Sequence, residues 1–430
     1  MKFRLTKQEK HWVLYDVGNS AFTLLVSTIM PIYFNHLAGT AGLSDVDYLA
    51  YWGYAASIST LLVALLGPVF GTLADYKGYK KPIFLAFLAV GAVGCISLGL
   101  AKQWLLFLVL FVVAKVGYSG SLIFYDSMLP DVTEPDRMDN ISSLGYAWGY
   151  IGSCLPFVAC LVPVLFADSL GLSMPAAMLI AFCITALWWV GMSLPLVKSY
   201  RQKHFVERRP GAVGAAFSRL WDTLKNARKE KKAFLFLLAF FFYIDGVYTI
   251  IDMATAYGSA LGLDSTGLLL ALLVTQIVAF PCAIIFGRLA SGHDTGLLIK
   301  ICIICYTGIT MFAVFLTSQW QFWMLAVMVG MFQGGIQALS RSYLGKIIPA
   351  ERSGEYFGIM DICGKGASFV GTTLVAVVSQ ASAGVKFSIL GITLQNENLA
   401  VGSLIILFII GFFLFCKADK LNKARTNQSV

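Results

Sequence analysis

Charge is what this sequence has least of. Aspartate, glutamate, lysine and arginine make up 13% of its 430 residues and histidine appears four times, whereas soluble domains run near a quarter charged. A large water-solvated catalytic or signalling domain is therefore not expected. The signatures of common chemistries are also missing. No HExxH zinc pair and no GxSxG nucleophile elbow occurs, which removes the usual zinc and serine hydrolases, and no GxxxxGK[ST] loop is present to hold ATP. Alternating segments of about ten residues do not recur, which argues against a membrane barrel. The nine cysteines all fall inside apolar runs and read as small buried hydrophobes. Even Cys302 and Cys305, one helical turn apart, give no disulfide or metal pattern.

What is present is apolar length. Hydrophobic residues make up 58% of the chain and its mean hydropathy is +0.76. A hydrocarbon core about 30 Å thick is crossed by roughly 20 residues of helix, and twelve stretches of at least that order follow one another between residues 12 and 416. Backbone in lipid must bond within its own segment, so each stretch predicts a helix. The expected fold class is an all-α membrane protein with twelve transmembrane helices. The first stretch follows a basic start but is too long for a signal peptide, and it carries Asp16 and Asn19 inside it. Of the 32 lysines and arginines, 27 fall on one set of alternate loops and the two ends. By the positive-inside rule both termini are cytoplasmic. The net charge of +9 follows this topology, so nucleic acid is not an expected partner.

A basic stretch divides the chain near its middle. Residues 1–197 form one six-span half, 198–232 a cytoplasmic linker, 233–416 a second six-span half and 417–430 a cytoplasmic tail. Within the linker, Val213, Phe217, Leu220, Trp221 and Leu224 follow helical spacing, as an interfacial amphipathic helix would. The halves echo one another. "GTLADYKG" from Gly71 is answered by "GRLASGHDTG" from Gly287, Gln103–Trp104 by Gln319–Trp320, and the motif around Arg137 by that around Arg352, at offsets of 215 or 216 positions. Three matches in order indicate a duplication. With six spans per half, the repeats are parallel about an axis along the membrane normal.

Longer motifs carry a family resemblance over nearly the whole chain. "GTLADYKGYKKP" at 71–82 is similar to the signature between helices two and three of the major facilitator superfamily, with Tyr76 and Tyr79 where that family usually has a basic residue. "WVLYDVGNSAF", "FYDSMLPDVTEPDR" and "GGIQALSRSYLGKIIPAERSGEYFG" resemble its vacuolar amino-acid effluxer-like branch, also called the unknown major facilitator family. The resemblance implies a secondary carrier in a bacterial cytoplasmic membrane, with helices one, four, seven and ten around a central cavity.

Candidate residues follow from where charge occurs. Asp75 is placed to face the positive N-terminal end of a neighbouring helix, expected to be span eleven, and so to latch an inner gate; Lys77, Lys80 and Lys81 accompany it. Charges within spans are costly and tend to face a cavity or a partner. They are Asp16, Lys115, Asp126, Asp245, Asp252, Arg341, Asp361 and Lys365. Asp126 and Arg341 occupy equivalent places in the two halves and form a candidate gating pair, with Asp361 a further gating candidate. Lys115, Asp245 and Lys365 lie roughly 16 to 18 Å into their spans at 1.5 Å per residue, near the midplane where carrier sites lie. With Asp16, Asn19 and Asp252 they are the candidates for solute or proton coupling. Asp245 is the favoured proton carrier and Lys115 its favoured counter-charge, since no histidine lies at that depth.

The expected function is secondary transport of a small polar or zwitterionic solute, such as an amino acid or related metabolite, by alternating access with proton coupling. Its partners are the solute, protons and the lipid bilayer. It acts as a monomer, with no cofactor, no metal and no enzymatic activity. A drug or organic-anion exporter of the same fold is the alternative, followed by a sensor on this scaffold.

Overall fold

The computed structural model describes residues 4–207, 231–260, 262–382, 387–389, 392–394 and 396–426. Twelve helical stretches among them are long and apolar enough to cross a membrane. The first is α1 (Lys7–Ser27) continued by α2 (Ile29–Thr40), followed by α3 (Asp45–Ala74), α4 (Lys80–Leu98), α5 (Trp104–Ser127) and the short α6 (Leu129–Val132). Next come α7 (Met138–Leu165), α8 (Met174–Ser199), α9 (Lys231–Ala260), α10 (Ser265–Ala290) and α11 (Thr295–Val314). The last are α12 (Gln319–Ile347), α13 (Ser353–Ala381), α14 (Asn396–Gly402) and α15 (Ile405–Thr426), with α14 and α15 sharing the twelfth crossing.

Local chemistry sets the boundaries. Thr6 and Glu9 form a reciprocal cap that starts α1: the Glu9 amide donates to Thr6 Oγ1 at 3.2 Å and the Thr6 amide to Glu9 Oε2 at 2.7 Å. The first span breaks at Thr28 because Pro31, three residues on, has no amide to give and its ring crowds the Ser27 carbonyl. Pro130 separates α6 from α5 in the same way. Asp264 and Asp294 cap α10 and α11, accepting from Gly267 and Leu297 at 2.7 and 2.9 Å. Among the described residues the named strands are a small antiparallel pair, β1 (Phe387–Ile389) with β2 (Ile392–Leu394), between the eleventh and twelfth crossings.

The described residues separate into two units that are not contiguous in sequence. The first draws on Met1–Glu134, Trp148–Leu220 and Pro349–Gly358; the second on Pro135–Ala147, Trp221–Ile348 and Ile359–Val430. In the first, α4 packs on α5 and α8, α1 on α8 and α3 on α5. Its core is aromatic. Trp12 stacks on Tyr125 with centroids 4.4 Å apart and donates its indole N–H to the Tyr125 carbonyl at 3.0 Å. In the second unit α9 packs on α15, and α10 and α11 on α12, around Phe236, Tyr243, Tyr343 and Phe415. Apolar side chains such as Leu65, Val93, Leu187 and Phe413 face outward, as a hydrocarbon solvent permits.

Close α4–α5 packing depends on the absence of side chains. A Cβ on Gly117 of α5 would strike the backbone amide of Gly91 on α4, whereas one on Gly53 of α3 would meet open space. Gly117→Ala should therefore cost about 1–3 kcal/mol by overpacking. Gly53→Ala should leave stability unchanged or slightly raised. Thermal unfolding of the two variants in detergent, followed by intrinsic fluorescence, checks both.

Candidate functional site

The hairpin between α3 and α4 ends in a buried carboxylate. Asp75 follows the last residue of α3 and Gly78, at φ 79°, turns the chain toward α4. The Asp75 side chain is fully buried. Its Oδ1 accepts the Gly354 amide at 2.7 Å and its Oδ2 the Glu355 amide at 3.1 Å. These are first-turn amides of α13, which have no partner within their own helix. A carboxylate there also meets the positive end of the helix dipole, a contribution of about 0.3–1 kcal/mol, rising toward 2 when buried. Small residues permit the approach. Gly67 and Gly71 on α3 face Gly354 and Gly358 on α13, and a Cβ on Gly71 or Gly354 would collide with the other's carbonyl oxygen.

The lysines of the hairpin separate by environment. Lys80 is fully buried; its ammonium donates to Ser353 Oγ at 2.8 Å and to the Ser127 carbonyl at 3.2 Å, and lies 3.6 Å from Asp131. Lys77 is exposed and pairs with Glu207 at 3.3 Å, an interaction that contributes little in water. Lys81 is partly buried in the first turn of α4. Asp131, on α6, takes the Tyr200 hydroxyl at 2.5 Å, the amides of Lys203 and His204 at 3.1 and 2.9 Å, and His204 Nδ1 at 3.0 Å. Burial, with the Asp131 carboxylate alongside, holds the Tyr200 phenol well above its ordinary pKa, so the hydroxyl remains a donor. The stretch after α8 is stitched to the hairpin as well: Val206 donates to the Asp75 carbonyl at 2.8 Å and Lys77 to the Val206 carbonyl at 3.1 Å. Residues 200–206 are thus bonded to the hairpin rather than running free of it. The amphipathic helix expected over 213–224 lies outside the described residues.

The second unit repeats the arrangement with its charges moved. Ser291 stands on the α10–α11 side where the first hairpin has its carboxylate, and it receives the Asn140 side-chain amide from α7. The acid is on the helix instead: Asp139 accepts the Thr295 hydroxyl at 2.7 Å, the Ser342 hydroxyl at 2.6 Å and the Lys346 ammonium. Arg341 is nearly fully buried, donates to Ser142 Oγ at 2.8 Å and to the Ser142 carbonyl at 2.9 Å, and lies 4.3 Å over the Tyr146 ring. Asp126, paired with it on sequence grounds, belongs to the first unit, partly buried near the end of α5.

The remaining candidates lie along the spans. In the first unit Asp16 is buried and accepts from Asn19 at 3.2 Å, while Lys115 is partly buried with its ammonium 5.5 Å over Phe111. In the second, Asp245 is fully buried and takes the Gly371 amide at 2.9 Å and the Thr249 hydroxyl at 3.3 Å; Asp252, two turns on, is exposed. The sequence pattern puts Asp361 at a gate and Lys365 at the solute, but the two form a single ion pair one turn apart on α13. Among the described residues no three His, Cys, Asp or Glu side chains cluster as metal ligands do. Sequence patterning missed Asp131, Asp139, Thr249 and Gly371. The signal for the first two was their place in the charged motif between the fourth and fifth spans, DSMLPDVTEPDRMDN at 126–140.

If the Asp75 contact holds the start of α13, Asp75→Asn should loosen it, since an amide nitrogen cannot accept from a backbone N–H. Hydrogen exchange at residues 353–358 should accelerate, and Tyr200→Phe, which removes one donor from Asp131, should cost about 1–3 kcal/mol. Exchange mass spectrometry and thermal unfolding read the two effects.

Comparison with known proteins places this geometry. Residues 6–428 match the family described as vacuole effluxer Atg22 like. The MFS-type transporter YxiO of Bacillus subtilis (strain 168) is 42% identical over 419 residues, covering 96% of this chain and 95% of that protein. Autophagy-related protein 22 of Coccidioides immitis (strain RS) is 24% identical, over 78% of this chain and 68% of its own. Among solved structures, the human organic anion transporter MFSD10 (TETRAN) superposes with a TM-score of 0.70 at 14% identity, over 96% of this chain and all of that one. FucP in its outward conformation gives 0.68 at 14% identity, over 96% and 97% of the two chains. At such identities it is the fold that is shared, twelve helices of the major facilitator type. The chain is an integral, multi-pass membrane protein and belongs to the Atg22-like effluxer family of major facilitator transporters.

Proposed function

We propose that this transporter carries a small zwitterionic solute, an amino acid or a related metabolite, by alternating access. The observation that carries the reading is the Asp361–Lys365 pair. Both side chains are largely buried, 16% and 27% exposed. Lys365 donates to Asp361 Oδ1, while Asp361 Oδ2 is buried with no hydrogen-bond partner among the described residues. An acid and a base one turn apart match the ammonium and carboxylate of an amino acid, which can take the place of each partner in turn. The effluxer description of the family supports transport of a solute without naming one. In this reading the Asp75–α13 contact is the cytoplasmic gate, Asp126 and Arg341 contribute to gating, and the six-helix halves 1–197 and 233–416 move about the 198–232 linker. The excess of lysine and arginine on one set of loops supports cytoplasmic termini.

Thermal unfolding of the purified protein against amino acids, nucleosides, sugars and organic anions tests the cargo. A zwitterion at a hundred times its Kd should stabilise by about 2.7 kcal/mol, and Lys365→Met should abolish that shift. Stabilisation by organic anions alone would favour an organic-anion exporter instead. Single cysteines near residues 2 and 425 should react with an impermeant maleimide only after the cytoplasmic face is opened.

A further inference from the structure

Asp245 sits near the middle of α9 with its two oxygens in unequal surroundings. Oδ1 is engaged twice, by the Gly371 amide of α13 at 2.9 Å and by the Thr249 hydroxyl one turn along α9 at 3.3 Å. Oδ2 is sealed from solvent and has no hydrogen-bond partner among the described residues. Among the described residues no base reaches the carboxylate. On α9 itself the next acid, Asp252, is two turns away and exposed. On α13 the nearest charges, Lys365 and Asp361, engage each other and precede Gly371 by about 9 and 15 Å of helix at 1.5 Å per residue. Of the elements packed on α9, α15 presents the Phe408 ring to Gly246, and α12 offers the Ser340 hydroxyl to Tyr243, while its Arg341 is held by Ser142 and Tyr146.

An ionised carboxylate so placed, with two neutral donors on one oxygen and nothing on the other, carries a desolvation cost of several kcal/mol. A positive charge at Oδ2 removes it. We infer that Asp245 with Thr249 forms a monovalent-cation site, taking a proton or Na⁺, and that the Gly371 amide reads its occupancy. This rests on the transporter reading and names the coupling ion's seat. A proton arriving from one aqueous side forms an O–H bond at Oδ2 and leaves a neutral acid; its departure to the other side restores the carboxylate. Na⁺ would instead be held by Oδ2 and the Thr249 oxygen. In either state Oδ1 becomes a weaker acceptor for Gly371. The residue at 371 is constrained to match: a Cβ there would collide with Asp245 Oδ1 and Thr249 Oγ1. Occupancy thus acts on the helix whose first turn is held by Asp75.

Two measurements, neither needing the solute, test the site. Dicyclohexylcarbodiimide reacts with protonated carboxyls in apolar surroundings, and on the wild-type protein it should modify the peptide containing Asp245 at a rate falling about tenfold per pH unit once the group ionises. If Na⁺ is the occupant, NaCl but not choline chloride should slow that reaction, and Thr249→Val should remove the protection. If the proton is, Na⁺ should have no effect. Thermal unfolding then compares wild type with Asp245→Asn, in which the dependence on pH or Na⁺ seen in the wild type should shrink. Modification of Asp245 independent of both pH and Na⁺, or the same pH and Na⁺ dependence of unfolding in both proteins, overturns the site. Such an outcome leaves solute binding by the Asp361–Lys365 pair standing.

Discussion

Hydrocarbon offers no hydrogen-bond partner to an amide and no solvation to a charge, so a polar group within the spans is costly unless the chain itself satisfies it. The backbone meets the demand by forming helices. The charged side chains meet it unevenly. Asp75, Asp131 and Asp139 are surrounded by donors: helix amides for the first, a phenol, main-chain amides and a lysine for the second, two hydroxyls and an ammonium for the third. Asp245 and Asp361 each retain one buried oxygen with no partner among the described residues. A closed shell makes a contact that has to be broken as a whole; an open one leaves room for a ligand.

The two hairpins share an arrangement while exchanging the sign of its charges. Asp75 corresponds to Ser291, and Asp131, 215 positions before Lys346, corresponds to a base. In the first unit the acid on the hairpin meets bare helix amides, which cannot titrate. In the second the acid rides on the helix and meets Lys346. The carboxylate of the second contact is therefore directly salt-bridged, whereas that of the first is held by main-chain amides with its lysine on a neighbouring acid, Asp131.

The span count was legible because it depends on local composition and length. The approach of Asp75 to α13 was legible too, since an acid just after one helix has few uses other than the free amides of another. Asp131 and Asp139 escaped notice because their partners arrive from far along the chain, Tyr200 and His204 for one and Thr295, Ser342 and Lys346 for the other. The pinning of residues 200–206 was hidden for another reason: much of it runs through main-chain bonds to Asp75 and Lys77, which leave no mark on residue choice. The break at Thr28 has a visible cause in Pro31, but hydropathy averages across it.

Because Pro349–Gly358 belong to the first unit, that unit cannot be finished when its own helices have been made. At about 5–20 residues per second, roughly ten to forty-five seconds of synthesis separate Asp131 from Ser353. Throughout that interval Asp75 lacks the amides that cap it and Lys80 lacks the serine that receives it. The newborn half-protein therefore holds a charged hairpin at the membrane surface, wet and open, until the ribosome delivers the start of α13. Sealing that end of the bundle is among the last events of assembly, and a chain truncated before residue 349 would display the unsealed hairpin to the cell's proteases.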